Sequence, residues 1–211
     1  HVTGQASLDA LYVDSEQLSE RRSGLGNRYG LDSTKPWIFC AVPHLAEHGM
    51  CSWDEHIANT RALFAAMSDT GAEVLLSLHP KSRPETYRDE ADIVGAHILV
   101  EPLRDVLPLA DIFVSTYSST VRWAAMLGIA TIIADFTGLN YRMYDHLTSL
   151  SVVRDQADLK KVLTSLVRDD TSRGAVAAAL REDASLIGVL DGQACRRIYA
   201  IALSLCGQVQ E

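Results

Sequence analysis

"DIFVSTYSSTVRWAAMLGIATIIAD", Asp111 to Asp135, decides the fold class. Residues 111–116 form an apolar run that reads as a buried strand. "STVRWAAMLG" reads as a helix closing on Gly128, and "IATIIAD", 129–135, is a second continuous apolar run. Runs without alternation suit strands covered on both faces. A strand, a helix and another strand make a βαβ unit, which predicts a parallel sheet. The first strand then ends in five consecutive hydroxyl-bearing residues, Ser115 to Ser119, and a sixth at Thr120. A plain turn would more often use Gly, Pro, Asn or Asp. Hydroxyls before a helix either cap it or hold an anion.

The same alternation extends in both directions. Pro36 opens the strand "WIFCAV" (37–42). "SWDEHIANTRALFAAMSDTG" follows, with Ser52 and Glu55 spaced as a capping box and Ile57, Leu63, Phe64 and Met67 as a helical stripe. Strands are expected at 73–78, 96–101 and 149–153, with a short helix or turn in "DEADIVG" and a short helix in "RDVLPLA" that Pro108 ends or kinks. "DQADLKKVLTSLVRD" is an amphipathic helix, and more helix is expected through 172–187 and 191–206. "SEQLSERRSGLGNRYGL" (15–31) reads as a short charged helix followed by a Gly-broken connector. The opening "HVTGQASLDALYV" reads as a chain joined in mid-course: Val2 and Thr3 resemble a strand end, Gly4 a turn, and a preceding segment is expected. The fold class is a Rossmann-like three-layer α/β/α domain with a mainly parallel sheet, residues 35–211, preceded by a connector and helix at 1–34.

A formal net charge of −8 argues against a nucleic-acid binder. It leaves room for a small phosphorylated ligand, because a helix N-terminus binds phosphate without net positive charge. No apolar run reaches the roughly 18–20 residues of a membrane-spanning helix. No signal peptide is visible either, and a cytoplasmic location is expected. Cys40, Cys51, Cys195 and Cys206 show no CxxC spacing, and free buried thiols are the expectation. No cofactor is expected, and no metal requirement is visible.

Ligands of such sheets bind beyond the carboxyl ends of the strands. At one of these ends, "SLHPK" delivers His79, held extended by Pro80, with Lys81 and Arg83 following. An imidazole donor and cations suit a phosphate; the alternative is a solvated loop with an incidental histidine. Ser118, Ser119 and Thr120 stand where the next helix starts, among N–H groups expected to be unpaired. Capping needs one hydroxyl and at least three are present, which favours phosphate binding. "AVPHLAEH" offers His44, Glu47 and His48; its H-x-x-E-H spacing lacks the helical context of a zinc motif, leaving a ligand-contacting His44 or a surface loop. "DFTGLNYRMYDH" (135–146) could line a nucleobase or sugar pocket with Arg142 on a phosphate, or be a helix–loop packed on the sheet.

Several of these motifs carry a resemblance. "DGQACRRI" (191–198) resembles the "GDGxAxxRI" element of non-hydrolysing UDP-N-acetylglucosamine 2-epimerases. "VTGQASLDAL" resembles their inter-domain "VTGNxxxDxL", "SLHPK" their "HP" loop, and "LPLADIFVSTYSST" their "ADxxxTDSGG" stretch. The similarity covers nearly the whole chain but only the C-terminal half of that family. It implies the nucleotide-binding half of a two-domain GT-B fold, with an N-terminal domain as partner and a nucleotide-sugar as ligand. Ser118 matches the phosphate-contacting Ser and His44 the His of "GHRREN", whose arginines are missing in "VPHLAEH". Ala124 falls where a Glu would grip the ribose of uridine.

"DIFVSTYSSTVRWAAMLGIATIIADFTGLNY" is also similar to "DLxITDYSSxxFDxAxxxKPxIxYxxDxxxY" of the CDP-glycerol glycerophosphotransferases. There, and in related transferases using CMP-activated sugars, the His and the hydroxyls hold the donor's phosphates. The resemblances imply a UDP-, CMP- or CDP-activated donor whose phosphates meet His79, Lys81, Ser118, Ser119, Thr120 and Arg142. The enzyme expected is epimerase-like or a transferase of cell-surface polysaccharide synthesis, with a degenerate non-catalytic domain as the competing reading. No general base is visible beyond the candidate His44. The base is implied to lie in the missing domain, so the chain alone is expected to bind without turnover. A homodimer is compatible with this reading.

Overall fold

The computed structural model describes residues 3–208. A short 3₁₀ turn, Ala6–Leu11, leads into α1 (Ser15–Tyr29). The chain continues through β1 (Trp37–Ala41), α2 (Trp53–Ser68), β2 (Glu73–Ser77), α3 (Glu85–Val94) and β3 (His97–Ile98). Next come α4 (Leu103–Val106), the 3₁₀ turn Leu107–Leu109, β4 (Ile112–Ser115), α5 (Thr120–Leu127) and β5 (Ala130–Ala134). It ends with β6 (Ser151–Val153), α6 (Gln156–Arg168), α7 (Asp170–Ala184) and α8 (Ala194–Gln208).

The strands form one parallel sheet in the order β3-β2-β1-β4-β5-β6. Alternate residues of each strand feed different cores, as a pleated strand covered on both faces must. Trp37, Phe39, Phe113 and Ile133 pack with Leu25, Val121, Ala124 and Leu180 on one face. Ile38, Cys40, Val114 and Ile132 pack with Phe64, Tyr87 and Leu163 on the other. Each large side chain removed from water this way contributes about 1.5–3 kcal/mol. The fold class read from the sequence is the one found.

Several local expectations change. α1 runs unbroken through Gly24 and Gly26 to a left-handed Gly30. At Gly26 an added Cβ would stand 3.4 Å from the Trp37 ring, an ordinary contact, and the helix passes through this glycine without a break. β3 has only two residues because it is the sheet edge and turns away after Leu99 N donates to Leu76 O. Residues 135–150 contain no helix; they are turns pinned by side chains. Gly4 takes a left-handed φ of 81° in irregular backbone where the sequence predicts a turn, whereas Val2 lies outside the described residues. Cys40 is buried, with burial pushing its thiol up, but Cys195 and Cys206 are exposed. Asp111, at the head of the opening stretch, is structural. Its Oδ2 accepts from Trp37 N and from Arg22, both at 2.7 Å, and the Arg22 guanidinium lies 4.0 Å from the Trp37 ring centroid.

The two end motifs meet. Asp9 accepts from Ala194 N at 2.9 Å and Cys195 N at 2.8 Å, capping α8 from 185 residues away in sequence. Arg197 donates to Thr3 O and forms an ion pair with Asp191 at 2.7 Å. The α8 amides hold the Asp9 carboxyl below its ordinary value, and Arg197 does the same for Asp191. Lowered carboxyl values stabilise the fold above the unfolded-state value, and that stabilisation is lost as pH falls through the folded one. Acidifying from about pH 5 to 3 is therefore expected to lower amide-exchange protection, measured against the intrinsic rate at each pH, in α8 before the sheet. Asp9→Asn should blunt that response, and an identical pH profile in the variant would show that Asp9 does not hold the clasp.

Candidate functional site

The sheet order reverses direction between β1 and β4, and ligands of open α/β sheets bind outside the strand ends at such a switch point. A cavity of about 820 Å³ opens there. Its walls come from the residues that follow β1, β2, β3 and β4, with Leu139 and Tyr141 closing one side. Among the sequence-derived candidates, His44, His79, Ser118 and Thr120 line it. Lys81, Ser119 and Arg142 do not; all three are exposed, and Arg142 is engaged with Asp145 at 2.7 Å. Arg104 at the start of α4 supplies the cavity's arginine instead, unmarked in sequence because it sits in a short, irregular helix.

The hydroxyl turn is more ordered than a plain helix start. Ser118 N donates to Thr116 O at 2.9 Å, so not all of its amides are open as expected. Ser118 Oγ accepts from Thr120 N at 3.3 Å and from Thr120 Oγ1 at 2.9 Å. With both acceptor positions filled, the Ser118 O–H is left as a donor. Tyr144 O–H donates to Ser118 O and fixes the turn from the connector side. Ser115 Oγ, at the strand end on the cavity wall, is buried with no hydrogen-bond partner. Such a group wants a ligand or water atom. The signal for it was the unbroken hydroxyl run itself.

Histidines form the opposite wall. His44 stacks on His79 with ring centroids 4.3 Å apart and an interplanar angle of 19°, and meets His48 edge-on at 4.9 Å. Lys81 N donates to His79 Nδ1 at 3.2 Å, which puts the hydrogen of the neutral ring on Nε2. Burial lowers the His44 value; Glu47 works against this, while His79, His48 and His56 add to it. His44 Nε2 lies 3.4 Å from Glu47 Oε1, within ion-pair reach but without hydrogen-bond geometry. Among the described residues no group of His, Cys, Asp and Glu has the arrangement of a metal site.

α5 turns Thr120 and Trp123 to the cavity, whereas Ala124 is fully buried in the core. A carboxylate at 124 would therefore point into apolar packing, and the α5 residue bordering the cavity beyond Thr120 is Trp123. The connector after β5 is held by Asp135, 1% exposed, which accepts from Leu139 N at 2.7 Å and Asn140 N at 2.9 Å. This brings Tyr141 to within 5.2 Å of Tyr117, centroid to centroid.

No protein-family model and no curated protein matches the chain. Solved structures do match. The structure of S. aureus MnaA with UDP superposes with a TM-score of 0.63 at 16% identity, over 100% of this chain and 55% of that one. The fold is GT-B-like. A UDP-GlcNAc 2-epimerase from Neisseria meningitidis bound to UDP-GlcNAc gives 0.57 at 12% identity, over 96% and 55%. The wall teichoic acid polymerase TagF gives 0.63 at 19% identity, over 100% and 53%. The chain thus spans about half the length of the solved chains it matches. Epimerases are one of the two groups that the motifs resemble, and a solved structure named as an epimerase shares this fold, as does the TagF polymerase. Among the described residues no helix is long and apolar enough to cross a membrane.

Proposed function

We propose that this chain is the nucleotide-sugar-binding part of a two-domain GT-B enzyme of the UDP-N-acetylglucosamine 2-epimerase-like kind, binding the donor's diphosphate. In this reading residues 1–34 connect the domains and 35–211 hold the nucleotide. One observation carries it: His79 and the Ser118–Thr120 turn line a single cavity at the strand ends. An anion there meets the His79 Nε2–H, the Ser118 O–H and the positive end of α5, with Arg104 bordering the same space. These groups would stabilise the charge that develops on a leaving diphosphate as the sugar–phosphate bond breaks. The neighbours named with UDP and UDP-GlcNAc support the ligand class. The general base is assigned to the other domain, so the chain alone binds without turnover.

A transferase using a CDP- or CMP-activated donor is the second reading. A TagF structure obtained with CDPG favours it. Calorimetric titration with UDP, CDP, CMP and UDP-N-acetylglucosamine at one salt concentration separates the two. A diphosphate nucleotide is expected to bind more tightly than CMP. Uridine selectivity points to the epimerase-like reading and cytidine selectivity to the transferase. Absence of binding, both here and in the two-domain protein, would sink both in favour of a domain that keeps the fold without the site.

A further inference from the structure

We propose that Glu47 is a positioning residue: a largely buried carboxylate that orients the His44–His79 stack as an anion-binding wall, backed by Tyr87 and His56. The proposal rests on the diphosphate reading above for what the wall binds, but not for how the wall is held.

Glu47 lies in the turn between β1 and α2 and gathers groups from its own connector, the loop after β2 and α3. Its Oε1 accepts from Ser82 O–H and from Tyr87 O–H, each at 3.2 Å, and stands 3.4 Å from His44 Nε2. Behind it, the Tyr87 hydroxyl is 2.8 Å from His56 Nε2. Tyr87 is fully buried and His56 is 2% exposed, so this pair sits between α2 and α3 without reaching the cavity. Burying a histidine, a tyrosine hydroxyl and a carboxylate together is costly unless each finds a partner. A merely structural contact between α2 and α3 could have been made with apolar side chains.

The protons fit one order. Burial, and secondarily Glu47, holds the Tyr87 phenol well above its usual range, so it stays a donor. With Tyr87 donating to Glu47, the His56 Nε2–H donates to the Tyr87 oxygen. The carboxylate is thereby fixed 3.4 Å from His44 Nε2, where it supplies the imidazole's counter-charge. Glu47 Oε2 and both His44 nitrogens are buried with no hydrogen-bond partner, so the arrangement retains unused capacity next to the cavity. The titratable groups facing His44 are Glu47 from its own turn, His48 beyond it, His79 from the end of β2 and His56 from α2. Glu47 is the sole acid among them. Turning His44 would release the ring on which His79 stacks, and His79 carries the donor Nε2–H.

The test is imidazole NMR titration of the full chain, with and without UDP or inorganic pyrophosphate. In Glu47→Gln the counter-charge is gone, so His44 should titrate at lower pH than in the parent protein. In Tyr87→Phe the ring is kept and one donor to Oε1 is lost, which leaves that oxygen to the imidazole, so His44 should titrate at higher pH. A general loosening of the turn would move both variants the same way. Pyrophosphate and UDP affinity should fall about tenfold in Glu47→Gln, the worth of one oriented charged hydrogen bond. Should Glu47→Gln fail to fold, the direction seen in Tyr87→Phe decides. An unmoved His44, or shifts of the same sign in both variants, overturns the inference. Opposite shifts in a protein that binds neither UDP nor pyrophosphate uphold the positioning role and overturn the diphosphate reading instead.

Discussion

Asp135→Ala is expected to lower unfolding stability by about 1–3 kcal/mol, the range for removing a buried acceptor from two part-buried backbone donors. The carboxylate accepts two backbone N–H groups, at 2.7 and 2.9 Å, and stands 3.4 Å from the Tyr117 hydroxyl and 3.6 Å from Arg154. Arg154 is 59% exposed, so water takes over its charge when the acid is removed. The cost therefore falls on the stranded amides of Leu139 and Asn140, and Asn140 already holds a φ of 51°. Residues 135–150 form no helix, and their own backbone hydrogen bonds are single-turn contacts such as Leu147 N to Tyr144 O. Loss of the anchor should free Tyr141 and Leu139, two residues of the cavity wall, and weaken nucleotide binding along with the fold. Asp135→Asn keeps one carbonyl acceptor and should cost about half as much. Urea unfolding of both variants measures this. An Asp135→Ala protein within about 0.5 kcal/mol of the parent would show that the connector is held elsewhere.

The parts of this architecture that sequence revealed are those governed by local rules. Strands buried on both faces must be apolar without alternation, so β1, β2, β4 and β5 were legible as runs, and the parallel sheet followed from the helices between them. The helix caps at Ser52 and Gly128 were legible for the same reason, each being set by one residue type at one position. What escaped depends on partners distant in the chain. Residues 135–150 look like a helix–loop until Asp135, Tyr144 and Asp183 are seen to hold them.

The site divides similarly. His79 and Ser118 could be named because strand ends and helix starts are fixed points of the fold. Lys81 and Arg142 carried the right charge at the right loops, but nothing local says which way a long side chain on a turn will lean. Arg104 and the Glu47–Tyr87–His56 set were hidden because their meaning is wholly tertiary: residues 56 and 87 meet only when α2 packs beside α3. The motifs at the two ends, which carried the resemblance, serve architecture. Asp9, Asp191 and Arg197 hold the start of the described chain against α8 and do not line the cavity.

His79→Ala and Ser118→Ala should each weaken binding of a diphosphate nucleotide about 10- to 100-fold, as expected for losing a hydrogen bond to a charged group, with CMP less affected. Neither change should disturb folding much. His79 is exposed, and its ring accepts only the nearby Lys81 N–H. Ser118 is half-buried, and its Oγ serves only Thr120. Asparagine or glutamine at 79 should restore part of the affinity, because an amide N–H can replace the imidazole Nε2–H that the Lys81 contact leaves outward as the donor. The double variant carries the finer information. Groups that grip the same phosphate share its position, so losing one slackens the other, and the paired loss should differ from the sum of the single losses. Groups on separate phosphates should add. A coupled pair would therefore place His79 and Ser118 across one phosphoryl group, at the switch point between β1 and β4 where the cavity lies. An additive pair would spread the diphosphate along the strand ends from β2 to β4. If both single variants bind with unchanged affinity, the cavity keeps the shape of a donor site without its chemistry, and the domain is the non-catalytic one.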